Sequence, residues 1–328
     1  MKKSLLSQGL FVGAISLLST SILQAGVSKD LAYPTGVLKN GKDIMNNVYF
    51  VNHFFAFKNY SIQKQKRTIT VIVKRSEGKK PLTETVERYL NNDYNNGKIN
   101  SKDLAIFRSG KMKGTGMLIT DYKDDAKSQE YLLWLPALRK IRRFAQPAHD
   151  DSWGGTDFTF GDVTLRKPKH ETHELMATET FGKTINSMII AKDKQTRTTK
   201  NLPAPTDEFK NREVYKVKST TEFSNWWYDY RITYVDTKTF ADYRTEYYKN
   251  KEQIKFLDKN WQKFEGQTDP RAQRWYAWYG KNLKTNHDSM AFIPKKVTSF
   301  NDKKFKVGGK KYTPERLWSK KTLTKIKR

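Results

Sequence analysis

The stretch NWWYDYRITYVD, residues 225–236, indicates the fold most directly, because side chains alternate along it with a period of two. The face of the predicted β-strand that we expect to point inward carries Trp226, Tyr228, Tyr230, Ile232 and Tyr234. The residues between them point to the opposite face. A strand with one buried face and one wet face is typical of an antiparallel sheet.

Further segments of this kind lie on both sides of the stretch. TFADYRTEYYKN (239–250), QIKFLD, QRWYAWYG, SMAFIPKKVTSF and KFKV follow at the spacing of a meander, separated by Asp, Asn, Gly and Lys. RTITVIVKR, TGMLITDY and EYLLWLPAL precede it, and Pro136 ends the last of these strands. By contrast, GKDIMNNVYFVNHFFAF (41–57) has helical spacing and predicts one amphipathic helix. The chain is therefore predicted to be mainly β, with one large curved antiparallel sheet and few helices.

The first 25 residues have the composition of a cleavable secretory signal. Lys2 and Lys3 precede an apolar stretch that ends in small residues at Ala25 and Gly26. The apolar core is short for a spanning helix, which disfavours an uncleaved membrane anchor. Residues 26–328 contain no linker long enough to divide them, so we expect an exported protein with a single domain.

The composition points to an anionic partner. The sequence contains no cysteine and its formal net charge is +28. Without disulfides the fold must be stabilised by packing, to which the aromatic residues contribute. The excess of cations favours nucleic acid or lipid headgroups, and for an exported protein we expect lipid. Each basic residue near an anionic bilayer contributes about 1 kcal/mol of binding free energy.

Two polar segments contain residue types that occur in metal sites and catalytic sites. In KHETHEL, His170 and His173 lack the spacing of a zinc-protease helix, so an exposed polar segment is predicted. In AHDDSWGGTDF (148–158), no nucleophile elbow surrounds Ser152. Gly154 and Gly155 instead predict a tight turn. We therefore predict no metal, no cofactor and no catalytic residue, and we do not expect an enzyme.

The stretch YLLWLPALRKIRRF, residues 131–144, places apolar side chains directly beside a cluster of cations. The candidates for contact with lipid phosphate or a partner are Arg139, Lys140, Arg142 and Arg143. The alternative is that these cations form the solvent face of a strand. The candidates for binding a lipid are Leu133, Leu135, Leu138, Trp226, Tyr228, Tyr230, Trp275 and Trp278. For the tryptophans, filling of the core is an equally favoured interpretation.

The order of three central motifs resembles that of the LolA-like outer-membrane lipoprotein-sorting proteins. The motifs are IFRSGKMKGTGMLITDY, EYLLWLPALRKIRRF and DDSWGGTDFTFGDV. The matching residues are Lys113, Gly114, Thr115, Leu118, Leu135, Pro136, Ala137, Leu138, Lys140, Arg142, Arg143, Gly155, Thr156, Asp157, Phe158, Thr159 and Asp162. Trp153, Gly154 and Gly161 depart from the family's pattern. The resemblance extends over about residues 41–320.

This resemblance implies an incomplete, half-open antiparallel β-barrel of the LolA and LolB type, closed by a few helices around a hydrophobic cavity. It also implies a periplasmic, non-enzymatic carrier that binds a lipid or the acyl group of a lipoprotein and delivers it toward the outer membrane. The resemblance implies an inner-membrane exporter of the RND type as a partner, and the positive charge of the chain adds an anionic membrane surface. The alternatives are a secreted lipid-modifying hydrolase, an accessory subunit of an exporter, and nucleic-acid binding, which the export signal disfavours.

Overall fold

A computed structural model describes most of the chain after the predicted signal. The described residues are 26–62, 69–76, 78–93, 97–294, 298–300, 305–307, 310–312 and 314–325. The predicted signal, residues 1–25, lies outside them. Within the described ranges, every helix is too short or too polar to cross a bilayer.

The described residues form seventeen strands and three α-helices. The helices are α1 (Gly41–Asn52), α2 (Pro314–Leu317) and α3 (Lys320–Leu323). The first strands are β1 (Asn59–Ile62), β2 (Thr70–Arg75), β3 (Leu82–Asn91), β4 (Ile99–Phe107), β5 (Gly116–Tyr122), β6 (Glu130–Leu135), β7 (Lys140–Phe144) and β8 (Glu171–Thr180). The others are β9 (Glu213–Thr221), β10 (Tyr230–Asp236), β11 (Asp242–Lys249), β12 (Glu252–Lys263), β13 (Gln273–Asn282), β14 (Asp288–Phe292), β15 (Thr298–Phe300), β16 (Phe305–Val307) and β17 (Lys310–Tyr312).

One antiparallel sheet contains fifteen of these strands, and it is not closed. Its order is β7-β6-β5-β4-β3-β2-β14-β13-β12-β11-β10-β9-β8, with β1 beside β3 and β15 beside β1. The two edge strands, β7 and β8, follow one another in the sequence. Residues 145–170 connect these edges and pack on the inner face of the sheet, and we call them the crossing segment. The predicted class, mainly β with a large antiparallel sheet, is confirmed.

Helix α1 packs inside the sheet and begins at its N-cap residue, Asn40, whose side chain accepts a hydrogen bond from Lys42 N at 2.8 Å. A Cβ at Gly41 would lie 2.6 Å from the carbonyl oxygen of His173, so glycine allows the helix to approach β8 closely. The predicted helix is confirmed, but it ends at Asn52, since Phe54 has a positive φ of 56°.

The two faces of the sheet have different covers. On the inner face, the apolar side of α1 and the crossing segment form the main core with the strands. On the outer face, Leu104, Leu118 and Leu132 pack against Leu317 and Trp318 at the carboxyl end of the chain. Further along the outer face, the connection between β8 and β9, residues 181–212, covers β2, β13 and β14.

The prediction for residues 225–236 is wrong about which set of alternating side chains faces inward. Strand β10 begins only at Tyr230, and its buried inner side chains include Arg231 and Thr233. Tyr230 lies on the outer face, where its ring stacks on Tyr248 with the centroids 4.9 Å apart. The reason is electrostatic, because the buried carboxylate of Glu171 holds Arg231 on the inner side at 2.6 Å.

Candidate functional site

An apolar cavity of about 60 Å³ lies between the inner face of the sheet and the crossing segment. The sheet side of its wall includes Val86, Ala105, Met117, Ile119, Trp275, Trp278 and Ala291. The crossing segment contributes Trp153, Phe158, Val163 and Thr164. Pockets that enclose a drug-sized ligand have volumes of roughly 300–1,000 Å³. This cavity must therefore enlarge before it can hold an acyl chain.

Two more cavities adjoin the apolar one. The first has a volume of about 40 Å³ and lies beside His53, and the second, of about 60 Å³, lies beside Arg166. Asn52, Val163 and Thr164 line all three cavities. Val163 and Thr164 belong to a π-helical turn, Gly161–Leu165. Displacement of this turn would join the three cavities into one interior space.

A single ion pair interrupts the apolar wall. Arg88 on β3 binds Asp103 on β4 with a nitrogen–oxygen distance of 2.7 Å, and both residues line the apolar cavity. Burial raises the pKa of the Asp103 carboxyl. Asp103 Oδ1 is buried without a hydrogen-bond partner among the described residues. The cavity therefore contains one acceptor that a polar group of a ligand, or a water molecule, could satisfy.

The other part of the inner face, on β8 and β10–β12, carries charges. Buried side chains on these strands form ion pairs with one another and with two residues of the crossing segment. We call them together the ionic cluster, and its members are Asp162, Arg166, Glu171, Arg231, Asp242, Lys255 and Lys259. All seven side chains are at most one-tenth exposed. Three carboxylates therefore face four cations in a region that water barely reaches.

Each carboxylate of the ionic cluster has its own partners. Glu171 accepts three hydrogen bonds from Arg231 and one from the Tyr228 hydroxyl, the shortest 2.6 Å long. Asp162 on the crossing segment accepts from Lys255 at 2.6 Å, from the Tyr247 hydroxyl at 2.5 Å and from Arg166 at 2.9 Å. Since Lys255 and Tyr247 lie on the sheet, Asp162 fastens the crossing segment to it.

A second carboxylate fastens helix α1. Asp242 on β11 accepts from Lys259 at 2.7 Å and from the Asn52 side chain at 2.9 Å. The Lys259 ammonium also lies 4.1 Å from the centroid of the Trp278 ring. Lys259 therefore connects the charged part of the interior to the wall of the apolar cavity.

The pKa values follow from this pairing. Burial raises the pKa of Glu171, but the charge and hydrogen bonds of Arg231 outweigh it and hold the pKa at about 2. Burial likewise opposes ionisation of Asp162, yet Lys255 and Arg166 hold its pKa well below the usual range. Both carboxyls are ionised near neutral pH, and the ionic cluster is a structural fastening.

The pairing of the strands shows on which face of the sheet the predicted lipid-binding residues of β6 and the predicted cations of β7 lie. Met117 on the cavity wall is opposite Leu133, which is opposite Arg142. Cross-strand partners share a face, so Leu133 and Arg142 lie on the inner face. By the same pairing, Leu135 lies there with its partner Lys140. The structure therefore brings Leu133, Leu135, Lys140 and Arg142 together at the open edge, and we call these four residues the mouth.

The remaining predicted cations do not reach the mouth. Arg143 lies on the outer face, opposite Leu132, and forms an ion pair with Glu130. Arg139 lies in the turn between β6 and β7 with a φ of 48°. Leu138 lies in the same turn and is 55% exposed.

The predicted aromatic residues separate into three groups. Trp275 and Trp278 lie on the cavity wall, and the Phe158 ring meets Trp278 edge to face at 5.7 Å. Tyr228 is buried at the end of the ionic cluster, and Trp226 packs against His149 outside the strand. Tyr230 lies on the outer face. Only the first group is placed to contact a guest in the cavity.

The polar segments are structural in this fold. Ser152 donates to the Thr156 carbonyl at 2.6 Å, and the predicted tight turn is confirmed by the positive φ of Gly154 and Gly155. His287 and Ser289 both bond the same oxygen of Asp157, at 2.6 and 2.7 Å. A catalytic triad requires the histidine to bond the serine, so this set has the wrong order.

The histidines of KHETHEL are likewise engaged. His173, far from lying in an exposed segment, is half-buried and bonds Ser219 and the Pro168 carbonyl, both at 2.8 Å. His170 Nδ1 lies 3.1 Å from the Lys167 backbone nitrogen. Both side chains therefore stabilise the entry into β8.

Several residues of the cavity wall were not selected from the sequence. They are Val86, Ala105, Met117, Ile119, Phe158 and Ala291. The alternation in TGMLITDY pairs Met117 with Ile119 on one face, and this signal could have identified both. The ionic cluster was also missed, because all but one of its ion pairs join residues that lie far apart in the chain.

Comparisons with known proteins agree with this architecture. A family model with the description "Uncharacterized protein" matches residues 100–305, more than half of the chain. The chain belongs to this family. No curated protein matches it.

Three crystal structures share the fold. An outer membrane lipoprotein-sorting protein domain from Vibrio parahaemolyticus is 14% identical with a TM-score of 0.59, covering 87% of this chain and 98% of that one. A DUF1329 family protein from Desulfovibrio piger is 15% identical with a TM-score of 0.60, covering 87% and 100%. A LolA superfamily protein from Nitrosomonas europaea is 10% identical with a TM-score of 0.50, covering 86% and 99%. The fold is LolA-like, as the three motifs of the sequence implied.

Proposed function

We propose that the protein is a periplasmic, non-catalytic carrier that binds a lipid or the acyl group of a lipoprotein and delivers it toward the outer membrane. In this proposal, residues 1–25 are the export signal and residues 26–328 form one carrier domain. Support comes from the LolA-like fold and from the apolar cavity behind the crossing segment.

The physical need for such a carrier is the cost of an acyl chain in water. Each methylene contributes about 0.8 kcal/mol, so a long chain costs on the order of 10 kcal/mol. Spontaneous passage between two membranes is therefore very slow. An interior lined by Met117, Ile119, Trp275 and Trp278 offsets most of this cost while the protein stays in water.

The observation that carries the proposal is the row of side chains from the cavity to the open edge. Met117 lines the cavity, Leu133 follows on the same face, and Arg142 ends the row at the mouth. The order from apolar to cationic matches the order of tail and head in an anionic amphiphile. Guanidinium groups bind phosphate through paired hydrogen bonds, which suits Arg142 to the head.

Loading requires the crossing segment to move. Its contacts with the sheet include Lys74 to the Gly154 carbonyl at 2.7 Å and Ser289 to Asp157 at 2.7 Å. Water can replace these two polar contacts when this part of the segment swings out, whereas the buried pair of Lys255 and Asp162 stays in place as its anchor. Trp153 and Phe158 would then leave room for the acyl chain while the sheet stays intact.

Delivery also requires a donor and an acceptor. We propose an anionic membrane surface at both ends of the route and an inner-membrane exporter of the RND type as the donor that the family resemblance implies.

Gentle purification from the periplasm followed by native mass spectrometry tests the cargo directly. A lipid mass bound to the intact protein is expected, and protein that is consistently free of lipid would contradict the proposal.

A matched pair of variants tests the mouth. We expect Arg142→Gln to weaken binding of a fluorescent lysophosphatidic acid about 5-fold, which is the effect of an exposed ion pair of about 1 kcal/mol. Arg143→Gln removes the same charge from the outer face one residue away and is expected to change binding less than 2-fold. Neither variant should alter binding of an uncharged monoacylglycerol. Equal losses for both variants would contradict the assignment of the mouth.

A further inference from the structure

Six connections meet at one end of the sheet, as the pairing of the strands requires. At this end, Arg75 of β2 is opposite Asp288 of β14, and Lys255 of β12 is opposite Asn282 of β13. The connections are residue 76 with 78–81, and residues 108–115, 136–139, 222–229, 250–251 and 283–287. We call this surface the turn end, and we include Leu82 at the start of β3 in it.

The turn end is strongly cationic. Its exposed basic residues are Lys79, Lys80, Lys111, Lys113, Arg139, Lys251 and Lys284. None of these seven forms an ion pair with another residue that the structure describes. Its described acids are Glu222 and Asp229, and Asp229 is paired with Lys249 at 2.9 Å. The surface therefore presents free positive charge from most of its turns.

The same end also exposes single large apolar side chains. Leu82 is 59% exposed, Leu138 is 55%, Leu283 is 42% and Phe223 is 40%. These four are among the nine exposed large apolar side chains of the described chain. Leu138 is followed by Arg139 and Leu283 by Lys284, so two of the turns carry an apolar side chain directly beside a cation.

We propose that the turn end docks on the surface of an anionic lipid bilayer. Each Lys or Arg near such a surface contributes about 1 kcal/mol, and apolar tips enter the interfacial layer beneath the headgroups. A protein partner would require a contiguous apolar centre, whereas these four side chains stand on separate turns. Nucleic acid would attract the cations, but binding to its phosphates would leave the exposed leucines without an apolar contact.

Docking at this end has a consequence for the cavity. Trp153 lines the apolar cavity and belongs to the part of the crossing segment that is bonded to the turn end through His287 and to the adjoining strand β2 through Lys74. A bilayer at the turn end would therefore lie against the cover of the cavity. This consequence rests on the proposed carrier function, whereas docking itself does not.

Sedimentation of residues 26–328 with vesicles tests the docking. The vesicles contain phosphatidylcholine alone or with about one-third phosphatidylglycerol, at low and high salt. We expect binding to the anionic vesicles only. The triple variant Lys79→Gln, Lys80→Gln, Lys284→Gln should lose about 100-fold in affinity, since three charges contribute about 3 kcal/mol.

A matched triple variant at the opposite end of the strands serves as the control. Lys123→Gln, Lys127→Gln, Lys238→Gln removes the same charge and should change affinity less than 3-fold. Leu138→Ser with Leu283→Ser should also weaken binding and should leave a residual binding that high salt abolishes. Equal losses for the two triple variants would overturn the proposal, as would equal binding to neutral vesicles.

Two further measurements separate this proposal from its alternatives. Binding of a random DNA duplex as tightly as anionic vesicles, unaffected by the leucine variant, would indicate a general polyanion surface and would overturn the docking. Vesicle-free binding of lysophosphatidic acid should be unchanged in the turn-end variants. A protein that binds this lipid but no vesicle contradicts the docking alone, and one that binds vesicles but no lipid contradicts the carrier function alone.

Discussion

The inner face of the sheet has two unlike parts. Beside β2–β5, β13 and β14 it is apolar and leaves a cavity, whereas beside β8 and β10–β12 it is charged and its carboxylates are paired. A guest can replace apolar contacts at little cost, because dispersion is not directional. A buried charge cannot give up its partner in this way. The apolar part is therefore suited to cargo, and the ionic cluster to anchoring the elements that cover it.

The largest expected effect comes from breaking the ionic cluster. Arg231→Met leaves the Glu171 carboxylate buried without its guanidinium partner, and we expect the free energy of unfolding to fall by about 3–5 kcal/mol. Urea denaturation measures this change. The double variant Glu171→Gln, Arg231→Met should recover much of the loss. A single-variant loss below about 1 kcal/mol would show that the charges contribute little.

Acid should weaken the same part of the interior. The pKa of Glu171 is about 2 in the folded protein and about 4.3 in an unfolded chain. The unfolded state therefore binds the proton more readily between these values, so stability that is fully present above pH 4.3 is lost as the pH falls toward 2. The expected loss is about 3 kcal/mol. Thermal unfolding from pH 5 to pH 2.5 should show most of this loss, since it is complete only below pH 2, and Glu171→Gln should flatten the slope.

A smaller effect is expected where the crossing segment meets the sheet between the two parts. A Cβ at Gly280 would lie 2.8 Å from the Leu257 side chain and 2.9 Å from the Phe158 ring. Both distances are too short, so the ring would have to shift to accept a larger residue. Gly280→Ala should therefore cost about 1–3 kcal/mol of unfolding free energy. Gly182→Ala is the control, since nothing lies within 4 Å of its Cβ. Equal stability of the two variants would mean that Phe158 is free to shift.

The smallest effect has the opposite sign and belongs to the apolar part. Ala105→Val adds two methyl groups on the cavity wall and should raise stability by about 0.5–1 kcal/mol, because it fills empty space. The same variant should weaken lipid binding, since the guest loses that space. A gain in melting temperature without any loss of lipid binding would indicate that the cargo is held elsewhere.

The local pattern predicted much of the framework. The strands β5 and β6, helix α1 and the turn at Gly154 are confirmed, because each depends on spacing or backbone freedom within a few residues. The edge strand β7 was predicted only as the alternative interpretation of the cations, because KIRRF has almost no apolar alternation and pairs with β6 on one side only. The packing of the connection at 181–212 on the outer face was not predicted, because its apolar residues are buried by strands that lie far from it in the chain.

By itself, the sequence determined the antiparallel class, the position of the amphipathic helix and the presence of cations beside apolar residues at 131–144. Only the tertiary structure decided which side of each strand faces inward. A period of two defines two faces but not their environments, which depend on partners far along the chain, such as Glu171 for Arg231. For this reason Arg142 lies at the mouth and Arg143 on the outer face, although the two residues are neighbours.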